Sequence, residues 1–303
     1  MVQKHIALVL GGGGAAGNAW LIGIIAGLAE SGIDLTETAD LVIGTSAGAT
    51  AAAQVRSGIP PAELLASTLA PPQPGQTRRP PPPSLPMETV FARMRAISAA
   101  ATSPAELQRA MAAFGLESDA SLGPDAAARR RALVASRLPS PDWPERPMIV
   151  VALNAETGEI ALLDRNSGAD LATAIAASTA LPGMAPTQDI NGTRYISGGI
   201  RSNENADLAS GYANVVVISP LAGRDPNAEP AGQFEGLRRF PGADLDAQLA
   251  TLRQQGSRVE LITPDADSRL AMGSNQMDLA TRIPSAHAGF TQGRREAARL
   301  VFL

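Results

Sequence analysis

The sequence predicts an α/β fold with a mostly parallel sheet, and three observations predict it. Residues 6–10 (IALVL) form an unbroken apolar run, followed at once by four glycines and then by a helical pattern. Such runs belong to strands buried on both faces. Residues 41–43 repeat the order: a short apolar run, a Gly-Ser-containing turn, then a helix over 49–57. Strand, turn, helix, strand, turn, helix is a right-handed βαβα arrangement. Two later runs, 215–219 (VVVIS) and 259–263 (VELIT), read as further buried strands.

The remaining elements follow in order. The first helix is expected over 17–31, with Trp20, Ile24, Ile25 and Leu28 at helical spacing and Gly32 as its C-cap. Residues 71–86 hold eight prolines in 16 positions and read as an extended loop. Residues 87–138 are Ala-rich with helical period, broken by Pro104 and Pro124, each expected in a first helical turn. Two or three helices fit there, first as a structural insertion and second as a lid over a pocket. Residues 147–154 and 159–164 form a strand pair around Thr157-Gly158. Helices are expected over 170–178, 245–255 and 284–300. No internal repeat interrupts this order, and the whole of 1–303 reads as a single domain.

Composition narrows the chemistry. Of 303 residues, 45% are hydrophobic and 18% charged, enough to bury a sizeable core. The net charge of −4 argues against nucleic acid as a partner, because phosphate binding needs a basic surface. The absence of cysteine excludes disulfides, thiolate catalysis and Cys-ligated metal. The two histidines, His5 and His287, leave little for a multi-histidine metal site, and no cofactor or metal is expected. The longest apolar stretch, 19–29, has 11 residues, short of the ~20 a membrane span needs. The N-terminal apolar run breaks off into glycines, so it reads as a strand of a cytoplasmic protein and not as a signal peptide.

Two glycine-rich turns carry the candidate site. The run Gly11-Gly12-Gly13-Gly14-Ala15-Ala16-Gly17 satisfies G-x-G-x-x-G at Gly12, Gly14 and Gly17. A dinucleotide fold needs an acid at the end of the next strand to hold the ribose; Asp40 lies before that strand, so this reading ranks last. Under either reading, backbone N–H groups at a helix N-terminus face an anion. Gly44-Thr45-Ser46-Ala47-Gly48 is G-x-S-x-G on a strand-to-helix turn, the setting that lifts a serine hydroxyl above a sheet as a nucleophile. The alternative is a tight turn with a serine N-cap. With Ser46 as nucleophile, the amides of Gly12, Gly13 and Gly14 on the neighbouring strand would form the oxyanion hole, worth roughly 3–4 kcal/mol per donor in other enzymes. The base is harder to find. His5 precedes the first strand, about 16 Å from its far end, and His287 reads as structural or exposed, so a carboxylate would have to serve.

Those two turns, with Ala177-Ser178-Thr179-Ala180-Leu181-Pro182 leading to Tyr195-Ile196-Ser197-Gly198-Gly199, resemble the patatin-like phospholipase family. Residues 201–208 (RSNENADL), 262–265 and 288–294 are similar to its bacterial members as well. The resemblance implies a three-layer α/β/α sandwich and a Ser-Asp dyad that hydrolyses acyl esters of lipids without histidine. It implies an acyl-ester or lipid-like small molecule as partner. Two positions depart from the pattern. Ser197 stands where the family has the dyad Asp, and a serine hydroxyl is too weak a base to replace it. Ala16 stands where the glycine loop of the family usually carries Arg or Lys. Ser197 leaves three readings open: an inactivated hydrolase, a member using another base, or a non-hydrolytic protein that binds, rearranges or transfers an acyl or specialised-metabolite ligand. The nearest acids, Asp189 and Asp207, read as a turn residue and a structural residue that caps the following helix. The run Arg129-Arg130-Arg131 reads first as a solvated helix face and second as a peripheral membrane contact.

Overall fold

The computed structural model describes residues 5–71, 86–223, 240 and 243–300. The chain opens with β1 (Ile6–Leu10), α1 (Gly14–Glu30), the one-turn α2 (Leu35–Thr38), β2 (Leu41–Thr45), α3 (Ala47–Val55) and α4 (Pro61–Leu69). Then come α5 (Met87–Ala100), α6 (Pro104–Leu122), α7 (Ala126–Ala135), β3 (Met148–Asn154), β4 (Ile160–Leu163) and α8 (Leu171–Ser178). The last third holds β5 (Gln188–Ile190), β6 (Thr193–Ser197), β7 (Asn214–Ile218), α9 (Leu245–Gln254), β8 (Arg258–Ile262), α10 (Ala266–Met272) and α11 (Arg282–Glu296). Short 3-10 turns occupy Gly198–Ile200, Ala206–Ala209 and Leu279–Thr281.

The sheet is mostly parallel: β8, β7, β1, β2 and β3 run side by side in one direction. Helices cover both of its faces. Along β1, Ile6, Leu8 and Leu10 join the larger core with α1, α3 and α8, while Ala7 and Val9 join the smaller one with Leu249 and Leu252 of α9. This two-sided burial explains why the strand reads as a continuous apolar run. It also makes the molecule the three-layer α/β/α sandwich expected.

β3 organises the half of the sheet that bears the site. Residues 150–153 pair antiparallel with β4 along one edge. The other edge is used twice in succession, by β2 in parallel over 148–151 and by β6 antiparallel over 152–154. Thr45 therefore stands opposite Val151 and Ser197 opposite Ala152. Two strands that approach from opposite directions end on the same stretch of edge.

Helix α1 is buried nearly all round because α11 packs on the side away from the sheet. Gly289 of α11 sits so close to α1 that a Cβ there would fall 2.4 Å from the Trp20 carbonyl oxygen. The first helix begins three residues earlier than expected, at Gly14, and Gly32 closes it at φ 90° just past the Ser31 cap. The 87–138 region forms three helices. Pro104 opens α6 as expected, but Pro124 lies outside α7, which begins at Ala126 after Asp125. The expected Pro-rich loop over 71–86 lies, except for its two end residues, outside the described residues. α5 and α6 share a small core of Val90, Phe91, Met94, Leu107, Met111 and Phe114, against which Met184 and Ile200 pack. Among the described residues no helix is long and apolar enough to cross a membrane.

Candidate active site

Ser46 lies between β2 and α3 with φ 54° and ψ −118°, a conformation that non-glycine residues adopt only under constraint. The neighbours supply the constraint. Gly48 presses α3 onto the end of β1: a Cβ on it would lie 2.0 Å from the Leu10 carbonyl oxygen. The Ser46 amide donates to Ser178 Oγ at 2.8 Å, and that hydroxyl donates on to the Val151 carbonyl at 2.6 Å. Ser178 is fully buried at the end of α8. The turn is thus pinned through one hydroxyl to the strand next door. Ser46 itself is only partly buried, and its Oγ has no hydrogen-bond partner among the described residues.

The glycine loop crosses beside it. A Cβ on Gly12 would lie 3.5 Å from Ser46 Cβ and 3.8 Å from Asn203 Oδ1. Of the three amides assigned to an oxyanion, that of Gly12 is already occupied, donating to the Asn203 carbonyl at 2.8 Å. Gly13 and Gly14 precede the first intrahelical donor of α1, and their N–H groups meet no acceptor among the described residues. Gly14 has φ 64°, which turns the loop into the helix and favours glycine there.

Ser197 is fully buried at the end of β6. Its amide donates to the Ala180 carbonyl at 3.0 Å, and its Oγ accepts from the Gly199 N–H at 3.1 Å, capping the turn that follows. A Cβ on Gly199 would lie 3.2 Å from Ser197 Oγ, 3.8 Å from Asn203 Oδ1 and 4.0 Å from Thr45 Cγ2. The Asn203 carboxamide therefore stands between the glycine loop and the 197–199 turn. Asn205, fully buried, donates from Nδ2 to Thr45 Oγ1 at 3.1 Å and to the Gly198 carbonyl at 3.3 Å. It ties the elbow directly to the second turn.

The structure brings Ser46, the glycine loop and Ser197 together and leaves the other candidates outside. His5 opens β1 at the opposite edge of the sheet, where its amide donates to Asp40. His287 is an exposed residue of α11. Asp189 accepts from the Gly192 N–H at 3.0 Å in the β5–β6 turn. Asp207 pairs with Arg201 at 2.6 Å inside the 206–209 turn, whose N-cap is Asn205, so it does not cap as expected. Glu204 is buried against Gly11 and accepts from Ser219 Oγ on the far side of β1.

Ser178, Asn203 and Asn205 lie within the stretches that carry the family resemblance, but no pattern in the sequence gives them a role. Asn205 is the middle residue of Glu204-Asn205-Ala206, and nothing in the sequence marks it as buried. Ser178 ends a helix and carries no signal either.

The family model for patatin-like phospholipase matches residues 8–210. Comparison with curated protein sequences gives no match. Among solved structures, VipD from Legionella pneumophila is similar at 15% identity and a TM-score of 0.45, over 98% of this chain and 67% of that one. The type III effector protein ExoU is similar at 15% identity and a TM-score of 0.35; the match covers 96% of this chain and about half, 54%, of that one.

Proposed function

The chain belongs to the patatin-like phospholipase family, and on that premise we propose that it is a serine acyl-ester hydrolase of lipid-like substrates with Ser46 as nucleophile. One observation carries the proposal: Ser46 is held at φ 54° with an unpartnered hydroxyl against Gly12 of the glycine loop, whose next two amides, those of Gly13 and Gly14, have no acceptor among the described residues. Ser46 Oγ attacks the acyl carbonyl, and the negative charge that develops on the carbonyl oxygen is taken by those two amides. The alcohol leaves with a proton, and water releases the acyl group from the serine. Gly12 lies against Ser46, and its own amide fixes Asn203.

The proton acceptor is what this chain lacks. Ser197 occupies the family Asp position and lends its oxygen to the Gly199 amide. A hydroxyl there does not accept the Ser46 proton at neutral pH. Turnover is therefore slow and rests on water or on a group of the substrate. That same feature favours the second reading, a patatin-fold protein that binds or transfers an acyl ligand. α5 and α6, whose small core packs against Ile200 three residues after Ser197, are the segment that would act as a lid under both readings.

The test is hydrolysis of a short-chain p-nitrophenyl ester by the chain, by Ser46→Ala and by Ser197→Asp. Slow hydrolysis abolished in Ser46→Ala and raised in Ser197→Asp is the expected result. Three inert proteins would leave ligand binding as the function.

A further inference from the structure

Residues 202–205 (SNEN) closely follow the 197–199 turn, and three of their four polar side chains are spent on structure. Ser202 Oγ accepts from the amides of Glu204 at 3.3 Å and Asn205 at 3.0 Å. Glu204 is buried and accepts from Ser219 Oγ. Asn205 donates to Thr45 Oγ1 and to the carbonyls of Gly198 and Ser202. Asn203 is the exception. Its backbone carbonyl takes the Gly12 amide at 2.8 Å, while its carboxamide, with two donors and an acceptor, has no hydrogen-bond partner among the described residues. The residue is partly buried and its chain neighbours are fixed, so an unmet carboxamide there calls for a ligand.

Its position relates it to the nucleophile. A Cβ on Gly12 would lie 3.5 Å from Ser46 Cβ and 3.8 Å from Asn203 Oδ1, so the two side chains flank one point of the glycine loop. A Cβ on Gly199 would lie 3.8 Å from the same oxygen. Beyond Gly12 the loop faces elsewhere: Gly13 meets Pro220, and Gly14 meets Gln276 and Met277. The free carboxamide thus stands at the start of the loop, toward Ser197, and the free amides of Gly13 and Gly14 stand farther along it. Acyl transfer places negative charge on two atoms, the carbonyl oxygen as the nucleophile adds and the leaving atom as its bond to the acyl carbon breaks. In a site with a base, the protonated base returns its proton to the leaving atom. Ser197 has no such proton to return.

We propose that Asn203 is a catalytic residue that donates from Nδ2 to the leaving atom of the acyl donor, and that the site thereby selects acyl groups carried on a leaving group able to depart as an anion, an aryl ester or a thioester in preference to an alkyl ester. The inference rests on the acyl-ester reading of the site and deepens it. Ser46 Oγ forms the bond to the acyl carbon, and its proton goes to water. The bond from the acyl carbon to the leaving oxygen or sulfur breaks, and that atom keeps the electron pair. Nδ2 stabilises the charge without giving up a proton, because a carboxamide donates hydrogen bonds and does not titrate. A phenolate or a thiolate leaves on those terms; an alkoxide is too basic. Half a turn about the terminal torsion exchanges Oδ1 and Nδ2 at the point between Gly12 and Gly199, and that torsion is soft.

The experiment measures kcat/KM, which reports the acylation step, on the butyrate esters of p-nitrophenol, phenol and ethanol. The proteins are the full chain, Ser46→Ala, Asn203→Ala, Asn203→Gln and Ser202→Ala, each with its urea midpoint. The parent is expected to hydrolyse the p-nitrophenyl ester fastest, the phenyl ester more slowly and the ethyl ester not measurably. Asn203→Ala is expected to lose about ten-fold on the p-nitrophenyl ester and about 10²-fold on the phenyl ester. The steeper dependence is the signature, because a lost donor costs most where the leaving oxygen is most basic. Asn203→Gln keeps the carboxamide and is expected to regain part of the loss on the phenyl ester. Ser202→Ala removes a structural acceptor; its urea midpoint should fall while the ratio of its two aryl-ester rates stays at the parent's value. In Asn203→Ala, an equal loss on both aryl esters, or no loss, would overturn the assignment and leave the hydrolase reading standing. Hydrolysis of the ethyl ester at the rate of the phenyl ester would do the same to the selection of leaving group. Absence of Ser46-dependent hydrolysis of every ester by the parent would remove the hydrolase reading and this assignment with it.

Discussion

Thr45 and Ser197 face consecutive residues of one strand, Val151 and Ala152, although they arrive on strands of opposite direction. Their offset along the edge is about 3.3 Å, one residue of strand rise. This arrangement explains how a fold with a parallel core builds a site from two distant turns. β2 leaves the edge at the elbow, and β6 takes up the vacated positions. The backbone at 197 is thereby brought to the end of the elbow strand that carries Ser46, whatever residue stands there.

Placing a carboxylate at 197 should restore a base. Ser197→Asp keeps an oxygen acceptor for the Gly199 amide and adds a group that takes a proton. The expected gain in ester hydrolysis is on the order of 10²-fold or more, and it should vanish in Ser197→Asp/Ser46→Ala. Initial rates with a p-nitrophenyl ester measure both.

Ser178→Ala removes the acceptor for the Ser46 amide and the donor to Val151 in a fully buried place. A destabilisation of ~1–3 kcal/mol is expected, read as a lowered urea midpoint with an unchanged slope. Ester hydrolysis should fall further than stability alone accounts for, because the strained turn relaxes. Ser178→Thr, which restores the hydroxyl, should recover part of the rate.

Gly48→Ala should be far more damaging than its size suggests. The added methyl would meet the Leu10 carbonyl oxygen at 2.0 Å, backbone that cannot step aside. A loss of ~3 kcal/mol or more is expected, visible as a large drop in the thermal midpoint. Gly58→Ala, with open space around its Cβ but φ 80°, is the control and should cost about 1 kcal/mol.

Asp40 predicts part of the acid sensitivity. Its carboxylate accepts the amides of Ile6 and His5, each at 3.0 Å, and the Ile6 bond leads in holding its pKa below the ordinary value. A depressed carboxylate stabilises the fold above its unfolded pKa of ~3.9 and loses that contribution as pH falls through the lower folded value. Asp40→Asn should therefore be less stable than the parent at pH 7, and the gap should narrow as pH falls below ~3.9 toward the lowered folded value. Urea titrations at pH 7 and across that acid range test this.

The sequence made the α/β class legible because both faces of the sheet are covered. The runs at 6–10 and 215–219 could hardly be anything but buried strands, whereas β8, read as buried, is an edge strand in which only Val259 and Ile262 are buried. The elbow was legible for a different reason: Gly44, Ser46 and Gly48 each meet a separate steric demand at fixed spacing. The short α2, α4 and α10 were missed, since each is held by its place in the tertiary structure and not by a strong pattern of its own. The occupied amide of Gly12 was equally out of view. It depends on Asn203, which comes close only once β6 has returned along β3.

The shared edge of β3 also orders events in time. The strained turn at Ser46 is held by Ser178, 132 residues later, and Thr45 is held by Asn205, 160 residues later. During synthesis at ~5–20 residues per second, the first half of the sheet emerges on the order of ten seconds before either partner exists. Contacts of such long range form late in folding as well. A nascent or half-folded chain therefore has the Gly-Ser sequence without its geometry, and chemistry at Ser46 must wait until β6 and the turns after it have closed on β3.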